Sequence, residues 1–382
     1  MKIPITKPTL PLWEVFSKAI HSFYDTGMIT NGPIVRQLEL QIRDTFQVRE
    51  AVGVSSCTSG LMLALKLLGV TGKVALPSFT FFATAHAAIW NDLEPVFVDI
   101  DPETWDLSTA ALENALENEE GIEAVMPVHI FGNPCRVEDL KALSDRFGAR
   151  LIFDSAHAMG AKVDGTYIGN FGDAEVFSLS PTKLVTGGEG GIIATQNEGL
   201  AAKLRAGRDY GNEGDYDPSF VGLNARMSEI HAALAIESFR MLELNVRRRN
   251  MIAERYAKAL SGVNGITFQK IDSGNRSTYK DFTILVDEEL FGINRDALAR
   301  YLANEGIDTR KYYDPPVHRT KAYWEKWGRN YDDFLPVTNA VSKTAISLPI
   351  WSHMGEDVVD FVAGRIVAAH ENADQIGSSY PN

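Results

Sequence analysis

The chain contains the stretch Phe177-Ser178-Leu179-Ser180-Pro181-Thr182-Lys183. After two intervening residues it is followed by Thr186-Gly187-Gly188-Glu189-Gly190-Gly191. The first stretch closes a short apolar run that is typical of a buried strand, and Lys183 lies just beyond it. Hydroxyls and glycines surround this lysine, and glycine lets a backbone approach a ligand closely. A lysine that forms a Schiff base needs a partly buried site in which its amine can be neutral. On this stretch alone, a reactive lysine and an ordinary surface-loop lysine are equally good interpretations.

Short apolar runs of the same kind recur along the chain and predict seven buried strands. They are Ala51–Ser56, Lys73–Pro77, Pro95–Ile100, Ala124–Ile130, Leu151–Asp154, Ala174–Ser178 and Gly191–Thr195. Helical patterns lie between many of them, as at Thr58–Leu68 and Val137–Phe147. This alternation favours an α/β fold with a mainly parallel seven-stranded sheet flanked by helices. Ligands bind beyond the carboxyl ends of such strands, so residues there are the first candidates for a site.

A long helical stretch around Arg226–Leu260 is expected to end the first domain. After it the alternation of strands and helices becomes sparser. The elements predicted there are a strand at Phe282–Val286 and helices at Arg295–Ala303 and Val358–Ala369. We therefore expect a large domain over residues 1–250 and a smaller C-terminal α/β domain over residues 251–382.

The composition is that of an ordinary globular protein and excludes several classes of function. The chain has 382 residues, of which 45% are hydrophobic, and a formal net charge of −13. An acidic protein repels phosphate backbones, so nucleic acid is not an expected partner. The two cysteines, Cys57 and Cys135, indicate neither a disulfide framework nor a metal site. We find no signal peptide and no apolar run that could span a membrane, and we expect a cytoplasmic protein.

Ser55-Ser56-Cys57-Thr58-Ser59-Gly60 stands between a predicted strand and a predicted helix. Free N–H groups at a helix start bind anions, and the hydroxyls of Thr58 and Ser59 could add donors to a phosphate. Small polar residues at this place are also common helix caps. By itself, this segment favours capping.

Asp154-Ser155-Ala156-His157 directly follows the apolar run Leu151-Ile152-Phe153. A carboxylate at this strand end could pair with a protonated ring nitrogen and raise its pKa. Asp154 could equally cap the next turn, and a single histidine such as His157 is more often structural than catalytic. An aromatic residue, Phe81, follows another strand and could stack on a flat ring. The order of hydroxyl cradle, acid and lysine along one chain is more specific than any of its parts.

Taken together, these motifs resemble the DegT-type sugar aminotransferase family of fold type I pyridoxal 5'-phosphate (PLP) enzymes. The resemblance runs from Thr30-Asn31-Gly32-Pro33 to about Leu348-Pro349. The matching stretches are Thr58-Ser59-Gly60-Leu61, Pro77-Ser78-Phe79-Thr80-Phe81, Phe97-Val98-Asp99-Ile100-Asp101, Pro127-Val128-His129, Asp154-Ser155-Ala156-His157, Ser178 to Lys183, Gly188-Glu189-Gly190-Gly191 and Asn224 to Ala233. Several ordered motifs in one chain identify a family far better than a lone match.

The resemblance implies a role for each matching residue. Lys183 resembles the lysine of the internal aldimine and of proton transfer, and Asp154 resembles the partner of the pyridine nitrogen. The implied cofactor-binding set is Thr58, Ser59, Phe81, Asp154, His157, Ser178, Ser180, Lys183 and Asn224. Asn224 resembles a residue that reaches the phosphate of the neighbouring subunit, which implies a homodimer with shared active sites. His318 and Asn31 fall in stretches that resemble substrate-contacting ones.

The sequence departs from the family pattern at two positions. Many members have histidine where Ser180 stands, and an aromatic residue is common where Ala225 stands. The first change leaves a hydroxyl donor in the phosphate cradle. The second is expected to reshape the edge of the substrate pocket.

The resemblance implies transfer of an amino group, from glutamate, to a nucleotide-linked keto-sugar. Family frequency favours C4 of a dTDP- or GDP-linked 4-keto-6-deoxyhexose. Transamination of a keto-cyclitol is an alternative acceptor chemistry, and a PLP-dependent sugar dehydratase is an alternative reaction. The dehydratase branches that resemble this family carry histidine in place of the lysine, or an iron–sulfur cluster, and Lys183 with two cysteines matches neither. A PLP-binding protein without catalysis is a third alternative, against which the complete set of motifs argues.

Overall fold

The computed structural model of the protein describes residues 2–379. Its helices are α1 (Trp13–Thr26), α2 (Pro33–Phe46), α3 (Cys57–Leu67), α4 (Ala83–Ile89), α5 (Thr109–Asn118), α6 (Val137–Phe147), α7 (Glu198–Gly207), α8 (Glu229–Phe239), α9 (Leu242–Leu260), α10 (Glu288–Phe291), α11 (Arg295–Asn304), α12 (Pro336–Thr344), α13 (Glu356–Glu371) and α14 (Ala373–Ser379). Its strands are β1 (Glu50–Val54), β2 (Lys73–Pro77), β3 (Glu94–Val98), β4 (Ile122–Val125), β5 (Arg150–Asp154), β6 (Lys162–Val163), β7 (Thr166–Tyr167), β8 (Ala174–Ser178), β9 (Gly191–Thr195), β10 (Ile266–Phe268), β11 (Asn275–Arg276), β12 (Phe282–Val286) and β13 (Ala345–Leu348). Across this described part of the chain, no helix is both long and apolar enough to cross a membrane.

A seven-stranded sheet forms the centre of the molecule, in the order β1-β9-β8-β5-β4-β2-β3. The strands from β8 to β3 are parallel to their neighbours, and β9 is antiparallel to both β1 and β8. The prediction of a mainly parallel seven-stranded sheet is therefore confirmed. Each strand lies within a few residues of its predicted run, because buried parallel strands read as continuous apolar stretches.

The alternation of side chains along each strand divides the apolar core into two layers, one on each face of the sheet. In β5, Leu151 and Phe153 pack in the layer that contains Leu38 of α2. Ile152, between them, packs in the opposite layer with Leu61 of α3. Helices cover both faces of the sheet. A ligand can therefore approach where the parallel strands have their carboxyl ends.

The predicted long helix around Arg226–Leu260 is wrong in one respect, since it is two helices, α8 and α9. Arg240 and Met241 stand between them with right-handed helical backbone angles. The two helices are therefore separated by a turn whose residues both keep helical backbone angles. The apolar spacing continues across it, which is why the sequence pattern did not reveal the break.

A second sheet, β10-β12-β13, is antiparallel and lies in the C-terminal part of the chain. Its apolar cluster includes Ile252 and Tyr256 of α9, Ile284 of β12 and Ile366 of α13. Ile3 joins the same cluster from the start of the chain. We propose to keep a domain boundary near residue 250, because the side chains of α9 enter this second core from Ile252 onward.

Candidate active site

The carboxyl ends of β1, β5 and β8 lie at one edge of the central sheet. Strand β1 runs parallel to β8, because both are antiparallel to β9 between them. Val54 and Ser178, the last residues of β1 and β8, are both register partners of Gly191. Asp154 ends β5 beside Val176 of β8. The sheet thus brings the three separate sequence motifs to one place.

Asp154 is a buried carboxylate that two uncharged hydrogen-bond donors hold in place. Its side chain is 5% exposed, its Oδ2 accepts a hydrogen bond from Thr84 Oγ1 at 2.7 Å, and its Oδ1 accepts one from the Ala156 amide at 3.1 Å. No Lys, Arg or His of residues 2–379 forms an ion pair with it. Burial raises its pKa, whereas the hydrogen bonds from Thr84 and Ala156 and the charge of Lys183 lower it. The site therefore holds an acid that a protonated ligand nitrogen would stabilise in the charged form.

Lys183 lies in the loop between β8 and β9, where its amide donates to the Ser180 carbonyl at 3.1 Å. Its side chain is partly exposed, and its Nζ makes no hydrogen bond or ion pair within the described chain. Burial, and secondly the charge of Lys280, lowers its pKa to about 8. An amine with this pKa is partly neutral near pH 7, and a neutral amine is a nucleophile and a base.

The first turn of α3 offers free donors beside this lysine loop. Ser56 caps the helix and Ser59 answers in a capping box, since each side chain bonds the other residue's amide. The Ser59 hydroxyl also donates to the Ser56 carbonyl at 2.9 Å, so Ser59 caps this helix, and its contact with a phosphate stays a prediction. The amides of Cys57 and Thr58 and the Thr58 hydroxyl have no partner among residues 2–379. They remain able to bind an anion at the positive end of the helix.

Two serines of the lysine loop stand across from this helix start. The Ser178 hydroxyl accepts a hydrogen bond from the Ser180 amide at 3.4 Å, and the Ser180 hydroxyl has no partner among the described residues. Gly191 makes the close approach possible, because a Cβ there would lie 2.7 Å from the Cys57 amide nitrogen. The loop and the helix start therefore form the two sides of one small polar cradle.

His157 is held in a neutral form three residues after Asp154. Its Nδ1 accepts a hydrogen bond from the Phe131 amide at 3.2 Å, which assigns the ring proton to Nε2. Burial lowers its pKa well below the ordinary value, and the charges of Lys183 and Lys280 lower it further. A neutral, oriented imidazole at this place can lie against a flat ligand ring without adding charge.

Phe81 and Asn224 of the predicted site are exposed, whereas the side-chain oxygen of Asn31 is buried. Phe81 is 47% exposed, and its ring centroid is 3.9 Å from that of Phe82. Asn224 is exposed, and its Oδ1 accepts a hydrogen bond from Arg226 at 3.3 Å. Asn31 has a left-handed backbone (φ 51°), and its buried Oδ1 has no partner within residues 2–379. All three keep ring faces or polar atoms available for a ligand or a second subunit.

His318 stands apart from the other predicted residues, because its side chain is fully buried. Its Nδ1 pairs with the Ser78 hydroxyl at 2.6 Å, and its Nε2 pairs with Asp332 at 3.0 Å. Ser78 follows β2, so the histidine ties the loop around residue 318 to the strand ends. Both ring nitrogens are hydrogen-bonded, which fixes the orientation of the ring, and its contact with the substrate stays a prediction.

Sequence reasoning missed two features of the site. The first is Thr84, at the start of α4, which holds the carboxylate of Asp154. The second is the adjacent pair Lys280 and Asp281, which lies buried within electrostatic range of Lys183. A threonine in a helix carries no distinctive pattern. A charged pair just before an apolar strand could have been noticed, because such a pair is uncommon beside buried residues.

The residues present fit pyridoxal phosphate. Asp154 is a buried carboxylate that lacks a cation, as a pyridinium partner requires. Lys183 supplies an amine that is neutral in part, and Thr58 supplies a free hydroxyl beside free amides for the phosphate. All of these groups lie at one edge of the sheet, where a ligand of this shape can reach them together.

A family model for the DegT/DnrJ/EryC1/StrS aminotransferase family matches residues 13–367. The dTDP-4-amino-4,6-dideoxy-D-glucose transaminase of Escherichia coli is 30% identical over 359 residues, which are 94% of this chain and 96% of that enzyme. The UDP-N-acetyl-3-dehydro-alpha-D-glucosamine 3-aminotransferase of Acidithiobacillus ferrooxidans is 31% identical and covers 92% of this chain and 93% of its own length.

Among solved structures, DesI in the presence of its TDP-sugar product has a TM-score of 0.93 and 31% sequence identity. That alignment covers 100% of this chain and 96% of the other. The similarity thus extends over the whole chain and includes every segment that contributes to the site.

Proposed function

The chain belongs to the DegT/DnrJ/EryC1/StrS aminotransferase family, and from that premise we propose that it transfers an amino group from glutamate to a nucleotide-linked keto-sugar, with its cofactor on Lys183. The observation that carries the proposal is the meeting of three groups at one sheet edge. They are the uncompensated carboxylate of Asp154, the amine of Lys183 with its lowered pKa, and the unpartnered donors at the start of α3.

When bound, pyridoxal phosphate supplies an aldehyde and a ring that withdraws electrons from the reacting carbon. Asp154 holds the proton on the ring nitrogen, since a charged carboxylate in a buried site favours the charged form of its partner. Thr58, Ser178 and Ser180 bind the phosphate together with the amides of α3.

Lys183 has two tasks that both need a neutral amine. It would supply the amine that holds the cofactor's aldehyde, and it would carry a proton to and from the α-carbon of the amino donor. A pKa of about 8 leaves an appreciable fraction of the amine neutral at pH 7, and it lies close enough to neutrality for the amine both to accept and to release a proton. The same amine would carry the proton to the sugar's carbon in the second half of the reaction.

We propose C4 of a dTDP- or GDP-linked 4-keto-6-deoxyhexose as the amination site. The support is the E. coli relative, which is a 4-amino-4,6-dideoxyglucose transaminase, and the TDP-sugar complex of DesI. The A. ferrooxidans relative is a 3-aminotransferase at similar identity, so amination at C3 is the competing outcome of the substrate test.

We also propose a homodimer in which Asn224 serves the neighbouring subunit's phosphate. Asn224 is exposed, and the segments beside it are joined by bridges between Thr30 and Ser228 and between Asp209 and Asn224. Large exposed apolar side chains occur in these segments and near Phe81. They are Met28, Ile29, Phe81, Phe82, Tyr210, Tyr216, Val221 and Ile230. Such side chains favour contact with a second copy of the chain.

The test uses the purified protein loaded with pyridoxal phosphate. We expect a visible absorbance band that disappears on addition of glutamate, and a product with one added nitrogen when a dTDP-4-keto-6-deoxyhexose is supplied. Borohydride should fix the cofactor to the peptide that contains Lys183, as peptide mass mapping would detect.

Lys183→Ala should lower turnover by at least about 10³-fold, because the nucleophile and the proton carrier are both lost. Lys203→Ala, on the exposed face of α7, is the matched control and should keep full turnover. Normal turnover of Lys183→Ala would overturn the assignment. Loss of the sugar hydroxyl without nitrogen gain would indicate a dehydratase, and amination of a keto-cyclitol alone would indicate that acceptor.

A further inference from the structure

The ring of His157 has one nitrogen that is paired and one that is free for a ligand. Its Nδ1 accepts the Phe131 amide at 3.2 Å, and its Nε2 has no hydrogen-bond partner among residues 2–379. The residue is only 8% exposed. An unpaired N–H in a nearly buried place costs free energy, and a bound group that accepts its hydrogen bond would offset this cost. His157 thus offers one donor, three residues after the acid Asp154.

The loop that holds the His157 ring is built onto the same strand end as the acid. The His129 amide donates to the Asp154 carbonyl at 3.2 Å, and the Gly132 amide donates to the His129 carbonyl at 3.1 Å. His157 itself follows Asp154 by three residues. The end of β5 therefore carries both the histidine and the loop whose amide its ring accepts.

Thr278, between β11 and β12, joins these two parts. Its hydroxyl donates to the His157 carbonyl at 2.6 Å, and its amide donates to the Gly132 carbonyl at 3.1 Å. Gly132 directly follows Phe131, whose amide holds the ring. The three hydrogen bonds form a closed circuit, in which one residue ties the backbone of His157 to the loop that orients its side chain.

The circuit is closely packed at Gly132. A Cβ on this glycine would lie 1.9 Å from Thr278 Oγ1 and 3.0 Å from the His157 carbonyl oxygen. Phe131 has a left-handed backbone (φ 57°), which a residue with a side chain rarely adopts. Such a backbone persists where its surroundings hold it in place. The Thr278 hydroxyl and the Phe131 amide are therefore fixed relative to the histidine.

Two side chains of α9 hold the segment 277–280 from its other side. Arg249 Nη1 donates to the carbonyls of Tyr279 and Lys280 at 3.0 and 2.8 Å. Asn250 Nδ2 donates to the Ser277 carbonyl at 2.9 Å. The segment is thus bound on both sides, and it is a fixed support from which a hydroxyl can direct another residue.

We infer that Thr278 is a positioning residue that directs the free Nε2 N–H of His157 toward the bound cofactor. This inference rests on the proposed function, in which His157 belongs to the cofactor-binding set, and it adds a residue to that site. Without the Thr278 hydroxyl, the His157 carbonyl loses its donor and the histidine is no longer tied to Gly132. The ring then loses its alignment with the Phe131 amide, and the N–H loses its direction.

The first measurement uses the full chain without cofactor and with nitrogen-15-labelled histidine. The ring resonances of His157, identified by their loss in His157→Gln, report which nitrogen carries the proton and whether Nδ1 accepts a hydrogen bond. Wild type should show the proton on Nε2 and a hydrogen-bonded Nδ1. Thr278→Val keeps the shape of the side chain without its hydroxyl and should move Nδ1 toward the unbonded shift. Thr278→Ser keeps the hydroxyl and should retain the wild-type shift.

The second measurement is the affinity for pyridoxal phosphate, titrated by absorbance. Thr278→Val should weaken it about fivefold, which is the usual effect of one lost hydrogen bond. In a His157→Ala background the same substitution should have an effect of about twofold or less, because the residue through which it acts is absent. Equal losses in the two backgrounds would indicate a role of Thr278 in stability alone and would overturn the inference.

Thr283→Val is the matched control. Thr283 is a buried threonine of β12, and its hydroxyl is paired with that of Ser347 at 2.7 Å. Its replacement also removes one buried hydrogen bond, and it should lower the melting temperature without moving the His157 resonances or the affinity for pyridoxal phosphate. A similar Nδ1 shift in Thr283→Val and Thr278→Val would contradict a specific role of Thr278.

The wild-type spectrum decides even if Thr278→Val folds poorly, since a proton on Nδ1 or an unbonded Nδ1 would overturn the inference. Failure of the inference is distinct from failure of the proposed function. An unchanged Nδ1 shift in Thr278→Val removes the role of Thr278 and leaves the turnover of Lys183→Ala to test the proposed function. Normal turnover of Lys183→Ala would remove the proposed function without changing the resonances of the cofactor-free protein.

Discussion

Two pairs of an acid and an amine meet in this site, and they are arranged in opposite ways. Asp154 and Lys183, from the large domain, have no counter-charge within ion-pair distance in residues 2–379. Lys280 and Asp281, just before β12, form an ion pair with distances of 2.9 and 3.0 Å. Burial shifts the pKa values of the first pair toward their neutral forms, upward for the acid and downward for the amine.

The difference teaches which groups are kept for a ligand. A buried charge without a partner costs free energy, and a fold retains it when a bound group supplies the missing partner. The pyridinium nitrogen would do so for Asp154, and the cofactor aldehyde would consume the neutral amine of Lys183. The ion pair of Lys280 and Asp281 is complete without a ligand.

Removal of the Asp154 carboxylate is expected to have the largest effect on turnover. Asp154→Ala should lower kcat by about 10³-fold, because the ring nitrogen loses the group that holds its proton. The measurement is steady-state transamination together with the absorbance of the bound cofactor. Asp139→Asn, on the exposed face of α6, serves as the matched control. A loss below tenfold in Asp154→Ala would show that the uncompensated acid is not kept for the cofactor.

A subtler change tests how the acid is held. Thr84→Val removes the 2.7 Å hydrogen bond to Asp154 and keeps the shape of the side chain. A hydrogen bond to a charged group contributes about 1.5–3 kcal/mol, so kcat should fall by about tenfold or more. Thr84→Ser keeps the hydroxyl and should restore most of the rate. If both variants behave alike, the methyl group and not the hydrogen bond is what matters.

The smallest predicted effect is a pH dependence of the rate at which Lys183 takes up the cofactor. Only the neutral form of Lys183 attacks the aldehyde, and its fraction increases as pH rises through about 8. Loading of the cofactor-free protein should therefore be about fivefold faster at pH 8 than at pH 7, and should level off above pH 9. Stopped-flow absorbance measures this rate. A rate that keeps rising to the ordinary lysine pKa of 10.5 would contradict the lowered value.

The sequence patterns predicted the strands of the central sheet closely, whereas the buried ion pair of Lys280 and Asp281 was missed. Strands such as β5 and β8 are buried on both faces, so their apolar runs mark their bounds closely. Asp154 was found because it ends such a run, and Lys183 because it lies in the loop that follows one. The break between α8 and α9 was missed, since both residues of the turn keep helical angles.

The candidate site shows the same limit at the level of single side chains. Ser59 and His318 match motifs by position, yet the structure gives both of them hydrogen bonds that occupy the predicted atoms. A motif fixes which residue type stands at a place along the chain. It does not fix which neighbour, distant in sequence, competes for the same donor or acceptor.

By itself, the sequence determined the α/β class, the order of the motifs along the chain and the residue types that a cofactor would need. These follow from local periodicity and from residues near strand ends. The tertiary structure alone decided which buried charges have partners. Packing leaves Asp154 and Lys183 without an ion-pair partner in residues 2–379, whereas Lys280 is paired with Asp281. Electrostatic pairing depends on distances between segments far apart in the chain, and no local pattern encodes those distances.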